Sequence, residues 1–287
     1  MIMRAAFLAA SSLILPLTQL SVANAGDDAI INAAKATETA LKARVGIAVF
    51  DTGSGQQWDY RSDERFPMAS TFKTLACAAL LNGGPSKTNA TVRIDEKDLQ
   101  SYAPVTSKMV GQQASAADLC AITLRTSDNT ASNKVIEVLG GPSAITTFVR
   151  STGDATTHLD RVEPDLNEGK PGDERDTTTP KAMAQTMQRL LLGSALDPAS
   201  RKQLTNWLVA NEVGGPLLRA ATPADWRIAD RTGAGGFGTR GVVAVMWPPK
   251  KAPIVTAIYL TETEATMDQR NAAIADIGKA IVTELSE

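Results

Sequence analysis

Two hydrophobic periods alternate along the chain, and the places where one gives way to the other outline the fold. Arg44-Val-Gly-Ile-Ala-Val-Phe50 and Gln57-Trp-Asp-Tyr60 are β-branched and aromatic runs around the turn residues Asp51 to Gly55, which predicts a strand pair. From Ser70 to about Val213 the pattern becomes helical. The spacing predicts helices over 70–81, over 115–125 with the cap-like pair Ser115 and Asp118, and over 130–139 before Gly140-Gly141. One further helix opens at Pro180 behind Thr179 and stops before Gly193. Another covers 200–210, ahead of Gly214-Gly215-Pro216. Strand-like runs then return at 226–229, 241–246 and 253–260. A closing helix over 267–285 is apolar at Ile274, Ile277, Ile281 and Leu285, spaced for one face.

Strands toward both ends and helices between them predict an α+β fold of the α/β-sandwich kind. One antiparallel sheet is assembled from both chain ends and covered by helices, with an all-helical subdomain inserted. The expected division is an α/β subdomain from residues 26–61 and 210–287 and a helical one from 62–209, with the chemistry between them.

Residues 1–25 stand apart from this pattern. Arg4 is their only charge, the apolar run Ala5 to Leu17 follows, and Ala23-Asn24-Ala25 forms an A-x-A site before Gly26. That predicts a cleaved export signal. The run is short and broken by Ser11, Ser12 and Pro16, unlike a membrane span. The expected product is exported, periplasmic and without a membrane anchor.

Composition narrows the function. Of 287 residues, 29 are basic and 31 acidic, a net charge of −2, and no basic run with interleaved aromatics suggests nucleic acid. A monomer is expected. Cys77 and Cys120 are the two cysteines, and in an exported chain they read first as a disulfide, worth about 4 kcal/mol in the chain-entropy model. Two inert buried thiols are the alternative. With one histidine and no H-E-x-x-H, neither a metal site nor a cofactor is expected.

The chemistry concentrates at Ser70-Thr71-Phe72-Lys73. Three residues apart on a helix is one face, so the Ser70 hydroxyl and the Lys73 amine can meet, the outline of an activated nucleophile. His158, in Thr157-His158-Leu159-Asp160, is the only histidine and reads as a hydrogen-bonded structural residue. The base for Ser70 is then Lys73, a carboxylate, or both. Lys73 can serve only where burial or a neighbouring cation lowers its pKa.

Three further segments follow in order: Ser127-Asp128-Asn129 at a helix junction, Glu163-Pro164-Asp165-Leu166-Asn167 in a polar loop, and Arg231-Thr232-Gly233 ending a strand. S-x-x-K with S-D-N and K-T-G is the signature of class A β-lactamases and penicillin-binding proteins, and this chain resembles that family. The likeness extends over nearly the whole chain after the leader. It takes in a 161–176 segment like the family's Ω-loop, Arg231 to Arg240-Gly241, Ala265 to Asn271, and the Cys77/Cys120 pair, which resembles a family disulfide.

The resemblance implies the family's two-part β-lactamase/D,D-peptidase fold and hydrolysis of a β-lactam. Ser70 would be the nucleophile, and its N–H with that of Ala234 the oxyanion hole. Lys73, or Glu163 through a water, would take its proton, and Ser127 would pass one to the departing ring nitrogen. Asn129 would bond the substrate amide. Glu163 and Asn167 would hold the deacylating water, and an Arg161–Asp176 ion pair would close the loop around them. Tyr102 would form an aromatic wall. Arg231, Thr232, Gly233 and Arg240 would line the subsite for the substrate carboxylate.

One position departs from the usual pattern: Arg231 stands where most relatives carry lysine. Arginine does not readily give up a proton, so its role is electrostatic, with a fork suited to a carboxylate. Arginine here resembles the carbenicillin-hydrolysing branch and implies a penicillinase that accepts α-carboxypenicillins. Ala69 and Gly235 are not cysteine, and Gly235 is not serine, so carbapenems and bulky oxyimino cephalosporins are expected to be poor substrates. A D,D-peptidase that acylates but deacylates slowly, an esterase of related fold, and a silent periplasmic binding protein are the competing readings. Glu163 with Asn167 argues against the first.

Overall fold

The sheet is where the two ends of the chain meet. A computed structural model describes residues 28–286; the expected leader over 1–25 lies outside the described residues. Strands β1 (Arg44–Asp51) and β2 (Gln57–Tyr60) come from the first quarter. Strands β3 (Arg227–Ala234), β4 (Arg240–Trp247) and β5 (Ile254–Thr261) come from the last. They form one five-stranded sheet in the order β2-β1-β5-β4-β3, with the neighbours antiparallel. The register pairs Ile47 with Ile258, Val243 with Ala257, and Arg231 with Val243.

Successive side chains on a strand point to opposite faces, and here both faces are covered. Val45, Ile47 and Val49 of β1, with Val242, Ala244 and Met246 of β4, face one apolar layer. That layer is completed by α1 (Ala29–Leu41) and by the closing helix, which spans Met267–Ser286. Ala48, Val243, Val245, Val255, Ala257 and Tyr259 face the other layer. There they meet α2 (Phe72–Asn82), α3 (Ala116–Thr126), α4 (Asn129–Leu139), α5 (Pro142–Ser151), α6 (Pro180–Leu191) and α7 (Pro198–Val209). We label the closing helix α8.

The structure adds helices to the predicted elements. Helix α1 is capped by Asp28, whose carboxylate accepts from the N–H groups of Ile30 and Ile31 at 3.1 and 3.2 Å. Its buried stripe is Ile30, Ala34 and Thr37, too short and alanine-rich to contrast with the rest of the helix. Helix α5, absent from the predicted elements, nonetheless carries a one-face apolar stripe, Ile145, Phe148 and Val149, behind Pro142 in its first turn. Helix α7 starts at Pro198, not at 200, because Asp197 caps it through the N–H groups of Ala199 and Ser200. Cys77 and Cys120 are joined, with Cα atoms 5.6 Å apart, which decides for the disulfide and ties α2 to α3. Among the described residues, no helix is long and apolar enough to cross a membrane.

Candidate active site

Ser70 lies in a 3₁₀ turn, Ala69–Thr71, that runs directly into α2. Ala69 takes φ +42°, a costly conformation for alanine, so the turn must be held by its surroundings. Thr71 supplies part of that hold: its hydroxyl donates to the Met68 carbonyl at 2.7 Å and meets the buried Tyr259 hydroxyl at 2.9 Å. One helical turn on, the Lys73 side chain is sealed from solvent. Its Nζ donates to Asn129 Oδ1 (2.6 Å), the Ser127 carbonyl (2.9 Å) and Ser127 Oγ (3.3 Å), and lies 3.0 Å from Glu163 Oε1. Burial pushes the Lys73 amine down to about 8; the Glu163 charge opposes that shift and the Arg231 charge adds to it.

Ser127 and Asn129 are aimed by the junction between two helices. Ser127 closes α3 in the left-handed conformation (φ +66°), and Asp128 caps α4 through the Ala131 N–H at 2.9 Å. The Asp128 carboxylate also accepts from Val105 N, Thr106 N and Thr106 Oγ1 at 2.7–3.0 Å, so the junction is fixed from two sides. Ser127 Oγ donates to Ser70 Oγ at 3.3 Å and accepts from Arg231 Nη2. Tyr102 joins the group through its carbonyl, which accepts from Asn129 N at 2.9 Å.

The 161–176 loop closes on itself. Arg161 Nε meets Asp176 Oδ2 at 2.6 Å, and Asp176 Oδ1 accepts from the N–H groups of Asp160 and Arg161. Inside it, Asn167 Nδ2 donates to Glu163 Oε2. The backbone of Glu163 is clamped by Asn133, which accepts from its N–H and donates to its carbonyl, each at 2.9 Å. The far side of the loop is held by Gly236 N donating to the Asn167 carbonyl at 2.8 Å. His158 is engaged elsewhere: its Nδ1 meets Asp160 Oδ2 at 2.7 Å, and it makes no bond to Ser70 or Lys73.

Strand β3 is the free edge of the sheet, and it lies against the nucleophile. A Cβ at Gly233 would sit 2.8 Å from the Met68 carbonyl oxygen and 3.1 Å from Ser70 N, so only glycine allows this approach. Gly235 N donates to Thr239 O across the hairpin. Strand alternation then turns the Ala234 N–H away from β4, to the open edge where Ser70 lies. Arg231 is fully buried; its Nε donates to the Ser70 carbonyl at 3.3 Å, and its Nη1 has no partner. From β4, Arg240 donates to Asn271 Oδ1 at 2.9 Å and to the Gly233 carbonyl at 3.1 Å. Burial lowers both guanidiniums to about 10, still cationic near neutrality.

These elements surround an open cavity of about 390 Å³. Ser70, Tyr102, Ser127, Asn129, Asn167, Thr232, Gly233, Ala234 and Arg240 line it, while Lys73, Glu163 and Arg231 are buried beneath. Every site residue singled out in the sequence is thus gathered here, the disulfide cysteines apart. Val213 and Met267, two further lining residues, carry no sequence signal, since single apolar residues are unremarked along a chain. Asn133 was findable, because it lies four residues after Asn129 on one helix face. Among the described residues, no cluster of three His, Cys, Asp or Glu side chains is placed to hold a metal ion.

Comparison with known proteins points one way. The profile described as the beta-lactamase enzyme family matches residues 29–285. Beta-lactamase PSE-4 of Pseudomonas aeruginosa is 52% identical over 250 residues, covering 86% of this chain and 87% of that protein. The crystal structure of the chromosome-encoded β-lactamase of Vibrio parahaemolyticus superposes with a TM-score of 0.88 at 44% identity, covering 90% of this chain and 99% of that one. An ancestral class A β-lactamase superposes with a TM-score of 0.86 at 50% identity, covering 89% and 100%.

Proposed function

The chain belongs to the β-lactamase enzyme family, as a class A serine enzyme, and from that premise we propose a course for its reaction residue by residue. Ser70 Oγ attacks the lactam carbonyl while its proton passes to the Lys73–Glu163 pair. The N–H groups of Ser70 and Ala234 receive the developing oxyanion. The carbon–nitrogen bond breaks, Ser127 gives its proton to the ring nitrogen and takes the former Ser70 proton from Lys73, and Ser70 is left as an ester. Glu163, oriented by Asn167, then takes a proton from the water that attacks that ester, and that proton returns to Ser70 Oγ as the ring-opened acid leaves. Asn129 and Tyr102 hold the substrate amide and its side chain.

The observation that carries a hydrolytic reading over a slowly deacylating one is the buried Glu163. Its Oε2 accepts from Asn167 and its Oε1 lies 3.0 Å from Lys73 Nζ. A carboxylate there serves no surface role and sits against Lys73, one helical turn from the residue that becomes the ester.

The substrates are penicillins, including carbenicillin. Two buried guanidiniums, Arg231 and Arg240, have no carboxylate within 4.0 Å among the described residues, and Arg231 Nη1 is unpartnered. A desolvated cation with no carboxylate in direct contact favours an anionic ligand, and for Arg231 the Asp230 and Glu163 charges act only from a distance. The carboxylate on the fused ring supplies one charge, and the second carboxylate of carbenicillin gains from the same field. The division into an α/β subdomain (26–61 and 210–287) and a helical one (62–209) belongs to this reading, as do export of a monomer to the periplasm and penicillin resistance of the producing cell.

The test follows lactam absorbance and intact protein mass together, with benzylpenicillin and carbenicillin. Many turnovers with no lasting adduct are expected. One persistent stoichiometric adduct would mean a penicillin-binding peptidase, and neither turnover nor adduct would remove the enzymatic reading.

A further inference from the structure

Outside the catalytic groups, one buried lysine is not accounted for. Lys134 lies on α4, five residues beyond Asn129, and is only 8% exposed. Its Nζ is 2.8 Å from Asp98 Oδ2 and 3.1 Å from the more exposed Glu137 Oε2. Lysine is seldom buried without reason, because desolvating its ammonium is costly unless a partner is fixed in place. Asp98 is such a partner: its Oδ2 also accepts from Asp95 N at 2.9 Å, in a reciprocal cap that rigidifies the 3₁₀ turn Glu96–Asp98.

A second contact runs parallel to the first. Thr130, four residues before Lys134 and so on the same face of α4, accepts from Gln100 N at 2.8 Å. Residues 98 to 100 are therefore fastened to α4 by an ion pair and a hydrogen bond. The next fastening is the Tyr102 carbonyl on Asn129 N, and after that the Asp128 carboxylate on Val105 and Thr106. Tyr102 is held on both sides of a short span, yet its side chain is 48% exposed at the cavity mouth, so little besides its backbone fixes it.

We propose that the Asp98–Lys134 pair is a specificity-determining anchor that sets the position of the Tyr102 wall against the acyl side chain of the substrate. It acts through Tyr102 and touches no reacting atom, so it is a positioning pair. The inference rests on the penicillin-hydrolysing reading above. A penicillin with a bulky acyl group uses the wall; 6-aminopenicillanic acid, the same bicyclic lactam without that group, does not.

The experiment measures kcat and KM for benzylpenicillin and 6-aminopenicillanic acid with wild type, Lys134→Met, Asp98→Asn and Lys134→Arg. For Lys134→Met and Asp98→Asn, kcat/KM on benzylpenicillin is expected to fall about threefold to tenfold, mainly through KM, the range of ordinary pairwise couplings. The value for 6-aminopenicillanic acid stays within about twofold, and Lys134→Arg, which keeps the charge, restores most of the loss. In a Tyr102→Ala background, Lys134→Met makes no further difference to benzylpenicillin. Equal losses on both substrates, or a lowered melting temperature with unchanged kinetics, would overturn the proposal and leave the pair as scaffold. Should Lys134→Met fail to fold, Asp98→Asn and the Asp98→Asn/Lys134→Met double variant, which leaves only the solvent-exposed Glu137 without its partner, carry the same comparison. A wild-type enzyme inert on both lactams would instead remove the hydrolytic reading, a failure seen before any variant is made.

Discussion

Lys73 Nζ lies 3.0 Å from Glu163 Oε1, and both side chains are wholly sealed from solvent. Two groups of opposite charge at that distance in a dry site interact strongly, so substituting one alters the work of the other. Glu163→Gln separates their roles. Acylation is expected to persist while deacylation slows by about a thousandfold, the scale of a lost general base. Intact mass after benzylpenicillin should show a stable adduct. Rapid turnover by this variant would take Glu163 out of the second step.

Arg231 contributes to the low pKa of Lys73. Burial is the main cause of the drop to about 8, and the neighbouring guanidinium lowers it further, because a second positive charge nearby disfavours protonation. Removing that charge must therefore raise the Lys73 pKa. In Arg231→Gln, the limb of the kcat/KM–pH profile near pH 8 is expected to move to higher pH, whether Lys73 works neutral or charged. A limb that stays in place belongs to another group.

Substrate choice is the second consequence of that guanidinium. Arg231→Lys keeps the charge but loses the fork, including the unpartnered Nη1. The expected outcome is a fall in kcat/KM for carbenicillin about threefold to tenfold greater than for benzylpenicillin, as one charge-assisted hydrogen bond is lost. Equal falls on the two substrates would place the selectivity elsewhere.

The loop holding Glu163 depends on one buried carboxylate. Asp176 is 1% exposed and bonds Arg161 Nε and two backbone N–H groups. Asp176→Asn removes the buried partner of Arg161, which keeps the more exposed Glu168 at 2.6 Å, and should cost about 2 kcal/mol in stability. Deacylation should slow with it, as Glu163 and Asn167 lose their frame. Calorimetry with burst kinetics checks both; unchanged melting would mean that the loop is held by its other contacts.

The Cys77–Cys120 bond joins the helix of the nucleophile to the helix ending at Ser127. The Cys77→Ala/Cys120→Ala variant should melt roughly 5–10 °C lower, from a loss of about 2–4 kcal/mol. Because Lys73 and Arg231 both bond Ser127 and so hold the two helices at the site independently, kcat for benzylpenicillin at 25 °C should change less than about threefold. A collapse of kcat at unchanged stability would give the bond a direct part in alignment.

Much of this was legible along the chain, for a physical reason in each case. The strands of the sheet announce themselves by β-branched runs, and the helices by caps such as Ser115 and Thr179 or by stops such as Gly140-Gly141. Both signals arise within a few residues of backbone, where sequence neighbours are spatial neighbours. Ser70 with Lys73, and Glu163 with Asn167, are readable for the same reason. Helix α1 was not, because alanine on several of its faces blurs the period.

Local order along the chain supplies the cast: a serine and a lysine on one helix face, a loop carboxylate with its amide, an arginine in the third motif, and the order of sheet and helix. Tertiary structure alone decided how they work together. Arg231 reaches the Ser70 carbonyl across 161 residues and Ser127 across 104. Asn133 grips Glu163 from another element, and Lys134 finds Asp98. No local pattern encodes these meetings, since they arise where packed layers exclude water. That exclusion, more than residue type, lowers Lys73 and leaves Arg231 with a hydrogen-bond donor unpaired.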